Sequence, residues 1–464
     1  MTVSDDINWR LNFKPWAVQV EALHRSAEHN KYGYFLEQGL GKTAIALNDF
    51  VNSDIDLCVV VAPQSFKLGW PTAVRDYGLD LPTGYWPKNP VPMHDHGLYA
   101  INYEGVSRSR AKDQLVKLFD DRQVMLVIDE SKALGNPRSG WTKSVTELAK
   151  RAAIVRELNG TPITQNVMDY YGQLRCLGQL NGWNPVKFRN RFAVLGGYMG
   201  KQIMPQVRNQ DELAGILAAC SFRALKADWR KDLPPKIYTT IPLELTGIQR
   251  VHYKEMLDEF MTIVSGTEVT ANLILTQMGK LRQISSGIIL DGEGIAHPIL
   301  PPAEVPKIQA VCELIAGPGK TIVSYYHRAS GQALFEALKE FEPARIQGGM
   351  SDDEVVQEKK RFNEDPSCRV IIGQERAMAL GHTLLGQAGN DRCSRTIFYE
   401  NSFSLYYRLQ LEDRNHRGEQ DTACDVIDFS CSPIEDTVIA ILTAKMELAN
   451  TMDRVIAAVR GIKA

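Results

Sequence analysis

The chain has 464 residues, of which 44% are hydrophobic and 23% charged, and its formal net charge is −2 at pH 7. This length predicts two or three domains, and the composition is that of a globular protein with an ample core. Because the bulk charge does not indicate a nucleic-acid partner, any such binding must come from a local basic patch.

No run of eighteen apolar residues predicts a membrane span, and the N-terminal MTVSDDINWR lacks the apolar segment of a signal peptide. None of the eight cysteines forms a CxxC pair, and several lie in apolar, strand-like runs. We therefore expect reduced core thiols in a cytoplasmic protein, rather than disulfides or zinc sites.

The first helical pattern, NFKPWAVQVEAL, contains Gln19. Its amide carries a donor and an acceptor together, so it could read the adenine edge of a nucleotide bound nearby. The alternative is a surface glutamine on an amphipathic helix.

The stretch FLEQGLGKTAIAL, from Phe35 to Leu47, has the layout of a phosphate-binding loop between an apolar strand and an apolar helix. Glycine lets backbone N–H groups approach phosphates closely, and the following helix turns its N-terminus to the negative charge. We expect Lys42 to reach the β- and γ-phosphates and the Thr43 hydroxyl to hold Mg²⁺. The full pattern has glycine where this chain has Leu36. The residues predicted to bind the nucleotide here are Gly39, Leu40, Gly41, Lys42 and Thr43.

An apolar run from Asp56 to Pro63 predicts a buried parallel strand. Ser65 and Lys67 follow at its carboxyl end, where open α/β sheets bind ligands, and are candidate contacts to a phosphate backbone. Lys67 is equally well explained as a solvated charge.

A second strong pattern is VMLVIDESKALGN, in which five apolar residues lead directly into Asp129 and Glu130. A buried strand that ends in two carboxylates is costly unless they have a cation to bind. We expect Asp129 to hold Mg²⁺ through its water shell and Glu130 to activate the attacking water. An N-capping aspartate would explain only one of the two acids.

A further strand leads to Gly160-Thr161-Pro162, which suits either a loop that senses the nucleotide or an ordinary turn. The alternation of strands and helices predicts a doubly wound parallel sheet. The segment FRALKADWRKDLPPK then ends the first domain, as a phosphate-backbone contact or as a solvated linker.

A second α/β alternation begins at Lys320, after a mainly helical stretch, and ends in a helical tail from Pro433 to Ala464. Within it, Arg414 and Arg417 share a helix face if the helix of 406–420 persists. Two such arginines can stabilise transition-state charge on a γ-phosphate held by the other domain, across a cleft. The alternative is a surface salt-bridge network with neighbouring acids.

In this order the segments resemble the Swi/Snf-type family of superfamily-two helicase-like ATPases over nearly the whole chain. EQGLGKT matches the family's first motif, DESKALGN its DExH-type box, LNGTPITQN its third motif and QLEDRNHRGEQ its sixth. LPPKIYTTIPLELTGIQRVHYKEM and LRQISSG are typical of this family rather than of helicases in general. Lys132 stands where the family usually has histidine, and the fifth motif keeps Gly381.

The resemblance implies two RecA-like lobes, at 1–232 and 233–464. It places helical insertions at about 165–222 and 246–300 and a brace helix at about 433–464. It also implies that Gln19 contacts adenine, that Gln410 and Gln420 belong to the nucleotide site, and that Arg414 and Arg417 face the γ-phosphate.

The same resemblance implies ATP- and Mg²⁺-dependent translocation along double-stranded DNA. The compact form is similar to phage or bacterial members, so we expect a monomer in a bacterial or phage-infected cytosol, with no membrane. Two alternatives stay open: a strand-separating or annealing helicase on forked DNA or RNA, and a nucleotide-gated binding or loading factor with little turnover.

Overall fold

The computed structural model describes residues 7–64, 69–86, 95–197, 200, 202–266, 271–379, 383–387 and 392–460. Within helices, only the backbone is described at 260, 262–266 and 271–275. The chain divides into two compact units, Met1–Lys231 with Ala444–Ala464, and Asp232–Thr443. The candidate contacts Ser65 and Lys67, and Gly381 of the fifth motif, lie outside the described residues.

The first unit is built on a seven-stranded parallel sheet in the order β3-β4-β2-β5-β6-β1-β9. A separate antiparallel hairpin pairs β7 with β8. The strands are β1 (Lys31–Leu36), β2 (Leu57–Ala62), β3 (Thr83–Tyr85), β4 (Gly97–Asn102), β5 (Val124–Asp129), β6 (Ile154–Leu158), β7 (Ala193–Gly196), β8 (Gln202–Val207) and β9 (Ser221–Ala224). The helices are α1 (Ala17–Ser26), α2 (Lys42–Asn52), α3 (Gly69–Asp76), α4 (Tyr103–Val106), α5 (Ser109–Asp121), α6 (Gly140–Arg151), α7 (Asp169–Cys176), α8 (Pro185–Phe192), α9 (Gln210–Cys220) and α10 (Lys226–Trp229).

Both faces of this sheet are covered, as the apolar run of β2 shows. Val60 and its alternate neighbours pack into one hydrophobic core, whereas Val59 and Val61 pack into another on the opposite face. A strand buried on both sides needs apolar residues at every position, because successive side chains point to opposite faces. The continuous run LCVVVA is therefore the signature of a central parallel strand.

The second unit carries a six-stranded parallel sheet in the order β10-β17-β16-β13-β15-β14, and a small antiparallel pair, β11 with β12. Its strands are β10 (Lys236–Pro242), β11 (Ile288–Leu290), β12 (Ala296–Pro298), β13 (Lys320–Tyr325), β14 (Ala344–Ile346), β15 (Val370–Gln374), β16 (Cys393–Phe398) and β17 (Cys424–Ser430). Its helices are α11 (Gly247–Gly266), α12 (Ala271–Ser285), α13 (Pro306–Ala316), α14 (Arg328–Ala337), α15 (Asp352–Glu364), α16 (Glu375–Met378), α17 (Leu405–Glu412) and the first part of α18 (Pro433–Val459). The predicted fold class, α/β with two parallel sheets flanked by helices, is confirmed.

The C-terminal helix differs from its predicted place. The sequence assigns all of 433–464 to the second lobe, whereas Ala444–Ala464 group with the first unit. The physical reason is packing, since Leu448, Met452 and Ile456 enter a core of the first unit together with Tyr170.

The eight cysteines are all free thiols, and six of them are buried, as the sequence predicts. Within the described ranges, no helix combines the length and apolar character needed to cross a membrane.

Candidate functional site

The predicted phosphate loop joins β1 to α2. Gly39 (φ 82°) and Gly41 (φ 77°) adopt the left-handed conformation that glycine reaches without strain, and Gly41 is the N-cap of α2. Leu40 is fully buried, so its side chain anchors the loop in the core. The loop thus has the turn and helix N-terminus that suit an anion.

Lys42 is directed back over this loop. Its ammonium donates to the carbonyl oxygen of Leu36 at 2.8 Å and of Glu37 at 3.3 Å. Thr43 follows in the first turn of α2 and is half-buried. The two residues predicted to hold phosphate and metal therefore both lie where the loop ends and α2 begins.

Gln19 packs directly on the loop. It is 1% exposed, and a Cβ on Gly41 would lie 2.1 Å from its Nε2, too close for any side chain at that position. Its Oε1 accepts a hydrogen bond from the backbone N–H of Trp16 at 2.8 Å. The surface-glutamine alternative is therefore wrong.

The acidic pair lies at the carboxyl end of β5. The indole of Trp70 donates to Oδ2 of Asp129 at 3.0 Å, and the hydroxyl of Tyr103 donates to the main-chain oxygen of Asp129 at 2.7 Å. Burial, reinforced by the charge of Glu130, raises the pKa of Asp129 to about 7, against opposing contributions from Trp70 and Lys42. A buried carboxyl with a raised pKa is one that a cation would stabilise in its charged form.

Glu130 has a strained backbone, with φ 51° and ψ 51° in the left-handed region that non-glycine residues rarely adopt. Its Oε1 accepts a hydrogen bond from Nε2 of Gln38 at 3.0 Å. Lys132, in the usual histidine position, is held near Asp169 and Glu130, and burial lowers its pKa against their attraction.

The hydroxyl of Thr43 and the carboxylate of Asp129 are oxygen donors of the kind that Mg²⁺ prefers. Both belong to the first unit, and Lys42 is close enough to Asp129 to influence its ionisation electrostatically. The donor set therefore fits the predicted ion.

Sequence reasoning missed Gln38, Trp70 and Tyr103, which contact the acidic pair. Gln38 stands inside the loop motif EQGLGKT, and this place in the motif is the signal that was available. Trp70 and Tyr103 carry no such signal, because aromatic residues are frequent in any core.

In the basic segment at the end of the first unit, Arg223 is bonded to other parts of that unit, whereas Lys231 is exposed. A phosphate-backbone contact by this segment stays a prediction. The guanidinium of Arg223 donates to the carbonyl oxygens of Phe35 and Gly160, both at 3.0 Å. It also pairs with the two carboxylate oxygens of Asp453 at 2.7 and 2.9 Å. Lys226 is 7% exposed, with its Cε 3.7 Å from where a Cβ on Gly39 would lie.

In the second unit, α17 ends at Glu412, so Arg414 and Arg417 do not share a helix face. Arg414 is buried and donates to the main-chain oxygen of Gln410 at 2.7 Å and to its Oε1 at 2.6 Å. Arg417 is half-buried and donates to the main-chain oxygen of Asp413 at 2.8 Å and to the Thr383 hydroxyl at 3.0 Å.

The acids next to these arginines form ion pairs with other basic side chains of the second unit. Glu412 and Asp413 accept from Lys236 at 3.2 and 3.0 Å, and Glu412 also accepts from Arg408 at 3.0 Å. Arg408 reaches β17 as well, where it pairs with Asp428 at 2.6 Å. This network fixes α17 on the sheet.

Gln420 has a structural role here. Its Nε2 donates to the main-chain oxygens of Cys393 and Asn415, both at 2.9 Å, and its Oε1 accepts from the N–H groups of Asp421 and Thr422. Two donors and two acceptors are all that an amide offers. These four contacts fix the amide of Gln420, and its assignment to the nucleotide site stays a prediction.

The family model described as the SNF2-related domain matches residues 8–287. Among curated proteins, the human DNA annealing helicase and endonuclease ZRANB3 is 25% identical over 87% of this chain and 37% of its own length. The Caenorhabditis elegans homolog of SWI/SNF-related matrix-associated actin-dependent regulator of chromatin subfamily A-like protein 1 is 25% identical over 83% of this chain and 54% of that protein. The chain thus spans about a third to a half of the length of these relatives.

Among solved structures, the Sulfolobus solfataricus SWI2/SNF2 ATPase core in complex with dsDNA aligns with a TM-score of 0.44 and 19% identity. That alignment covers 98% of this chain and 95% of the other. Because the family model matches more than half of the residues, and the resemblance seen in the motifs is thereby confirmed, this chain belongs to the SNF2-related domain family.

Proposed function

We propose that the protein is an ATP-driven motor that hydrolyses ATP with Mg²⁺ and moves along or remodels double-stranded DNA. The observation that carries this proposal is the pairing, within one unit, of the Lys42 loop with the Asp129–Glu130 pair. Membership of the SNF2-related domain family supports it, as do the names of the relatives, which include a DNA annealing helicase.

The loop N–H groups and Lys42 bind the β- and γ-phosphates, and Thr43 with Asp129 would hold the metal ion. Mg²⁺, when bound, neutralises charge on the phosphate oxygens. Glu130 accepts a proton from the water whose oxygen attacks the γ-phosphorus. The bond from that phosphorus to the bridging oxygen breaks, so ADP leaves with the electron pair and inorganic phosphate is released.

Arg414 and Arg417 complete this proposal by stabilising the charge that develops on the transferred phosphoryl group. Arg414 is held in place by Gln410, which we therefore assign a positioning role.

The test is ATP turnover with and without duplex DNA, for the wild type and for Lys42→Ala. We expect DNA to stimulate turnover and Lys42→Ala to abolish it, whereas Lys187→Ala, at an exposed lysine of α8, should behave as the wild type. Turnover that ignores DNA and survives Lys42→Ala would reject the motor.

An annealing or strand-separating activity is the second candidate, because the human relative is named an annealing helicase. Fluorescence assays of strand annealing and displacement on forked, blunt and RNA duplexes separate it from pure translocation. A nucleotide-gated loading factor would instead show binding with negligible turnover, and a positioned base such as Glu130 argues against that.

A further inference from the structure

The phosphate loop carries a polar side chain that contacts Glu130, the proposed general base. Gln38 lies between Glu37 and Gly39, and its Nε2 donates to Oε1 of Glu130 at 3.0 Å, across 92 residues of sequence. We propose that Gln38 is a positioning residue for ATP hydrolysis, which holds the carboxylate of Glu130 in the orientation that a general base needs. This inference rests on the proposed function.

Glu130 needs such support because its backbone alone does not fix its carboxylate. The hydroxyl of Tyr103 supports the strained main chain. It lies 2.7 Å from the main-chain oxygen of Asp129 and 3.3 Å from the main-chain oxygen of Glu130. Beyond it, the glutamate side chain has three rotatable bonds. The amide of Gln38 restrains the tip of that side chain.

Gly160 leaves the space in which Gln38 lies. A Cβ on Gly160 would be 2.8 Å from Nε2 of Gln38 and 3.2 and 3.3 Å from its Cγ and Cδ. Gly160 is not in the left-handed region, so a methyl group there would act by displacing the glutamine and not through backbone strain. The carbonyl of Gly160 is itself held by Arg223 at 3.0 Å. The amide of Gln38 is thus confined between the Gly160 loop and the carboxylate of Glu130.

The hydrogen bond acts on the group that takes part in the reaction. The amide N–H of Gln38 donates to the carboxylate of Glu130, and that carboxylate is the group proposed to accept a proton from water. Gln38 belongs to the loop that is proposed to bind the phosphates. The same loop therefore fixes the position of the general base relative to the γ-phosphate. A misplacement of about 1 Å at a reacting group can cost roughly 100-fold in rate.

Two substitutions at the same position separate hydrogen-bond donation from packing. Gln38→Met keeps the length of the side chain and removes the donor. Gln38→Glu keeps the shape and replaces the donor by a second carboxylate facing Glu130. If only packing mattered, the glutamate variant would be closer to the wild type than the methionine variant.

We expect Gln38→Met to lower kcat about 10- to 100-fold with the KM for ATP changed less than about 2-fold. Gln38→Glu should be slower still. Gly160→Ala should lower kcat in the same way with little change in KM, and Gln206→Met, at an exposed glutamine of β8, should change neither.

Steady-state ATPase assays with saturating duplex DNA, which give kcat and the KM for ATP separately, test the positioning role. A Gln38→Glu variant as active as the wild type, or a Gln38→Met variant with raised KM and unchanged kcat, overturns the positioning role. If Glu130→Gln is inactive while both Gln38 variants are normal, the inference fails and the proposed function stands.

A thermodynamic cycle tests the contact without any turnover. Gln38→Met, Glu130→Met and the double variant are compared by their denaturant unfolding midpoints. Non-additive shifts support the contact, and additive shifts overturn it. A wild type without ATPase activity would reject the proposed function, and this cycle would still decide whether the two side chains are coupled.

Discussion

At the scale of single residues, Gly41 satisfies two requirements that no other residue meets. Its φ of 77° is strained for any side chain, and a Cβ would collide with the amide of Gln19 at 2.1 Å. The collision involves a buried side chain that is itself bonded to Trp16, so it cannot simply rotate away.

Gly41→Ala should therefore lower the free energy of unfolding by about 2 kcal/mol and abolish nucleotide binding. The matched control is Gly215→Ala, in the interior of α9 with open space around it, which should stabilise the protein by about 0.5–1 kcal/mol. Denaturant titration and nucleotide-binding assays measure both. An alanine at 41 that binds nucleotide normally would contradict the requirement.

Glu157 is a buried acid in β6. Among the described residues, neither of its carboxyl oxygens has a hydrogen bond of ordinary geometry. Burial raises its pKa well above the usual range, and the nearby Ser131 hydroxyl offsets only part of that. Folding therefore favours the protonated form of this carboxyl relative to the unfolded chain.

Because the pKa is raised on folding, the stability linked to Glu157 is present below its ordinary value near 4.5 and falls as the pH rises through the folded value. Glu157→Gln cannot ionise, so its unfolding free energy relative to the wild type should increase by roughly 1–3 kcal/mol between pH 5 and pH 8. Glu28→Gln, at an exposed site, should show no such trend. A difference that stays constant with pH would show that Glu157 is not the titrating group.

At the scale of elements, the last part of α18 serves the first unit. Asp453 forms a bidentate ion pair with Arg223. Arg223 also donates to the main-chain oxygens of Phe35, in β1, and of Gly160. Lys445, two turns earlier, donates to the side chain of Gln165. The helix thus contacts the segment 160–166 directly through Lys445 and indirectly through Arg223.

Asp453→Asn should cost about 3 kcal/mol of stability, because it leaves the buried Arg223 without its counter-charge. Glu447→Gln, an exposed acid on the same helix, should be nearly neutral. The double variant Arg223→Met/Asp453→Leu should recover most of the loss, since apolar side chains of similar volume can replace a buried ion pair. Denaturant unfolding compares the four proteins, and an Asp453→Asn variant of wild-type stability would exclude the pair as a support.

At the scale of the whole molecule, the two units carry different charged groups. The first unit carries the loop lysine and the acidic pair, and the second carries the two arginines after α17. Arg417 is the cleaner test of their proposed role, because Arg414 is buried and its removal would also create a packing defect.

Arg417→Ala should lower ATP hydrolysis by about 10³-fold and leave ATP binding largely intact, because the charge is needed only in the transition state. Arg189→Ala, an exposed arginine of α8, is the control. DNA-stimulated turnover and nucleotide binding are measured together. A parallel loss of binding would indicate that Arg417 supports the fold instead.

Local pattern predicted most of the fold and the starting points of the site. The strands β2 and β5 are buried on both faces, and such strands need continuous apolar runs that are visible in one dimension. The same holds for the phosphate loop, where glycines are required by backbone angles at fixed positions. Lys42, Asp129 and Glu130 are found this way because each adjoins a recognisable strand end or turn.

The sequence by itself therefore determined the two α/β units, the loop and the acidic pair, since short-range periodicity and turn chemistry encode them. Only the tertiary structure decided that Gln38 contacts Glu130, that Asp453 pairs with Arg223 across 230 residues, and that the amide of Gln420 forms hydrogen bonds with backbone groups. The physical reason is that hydrogen-bond and ion-pair partners are selected by proximity in space. No local pattern records which of many equivalent side chains will meet once the sheets and helices have packed.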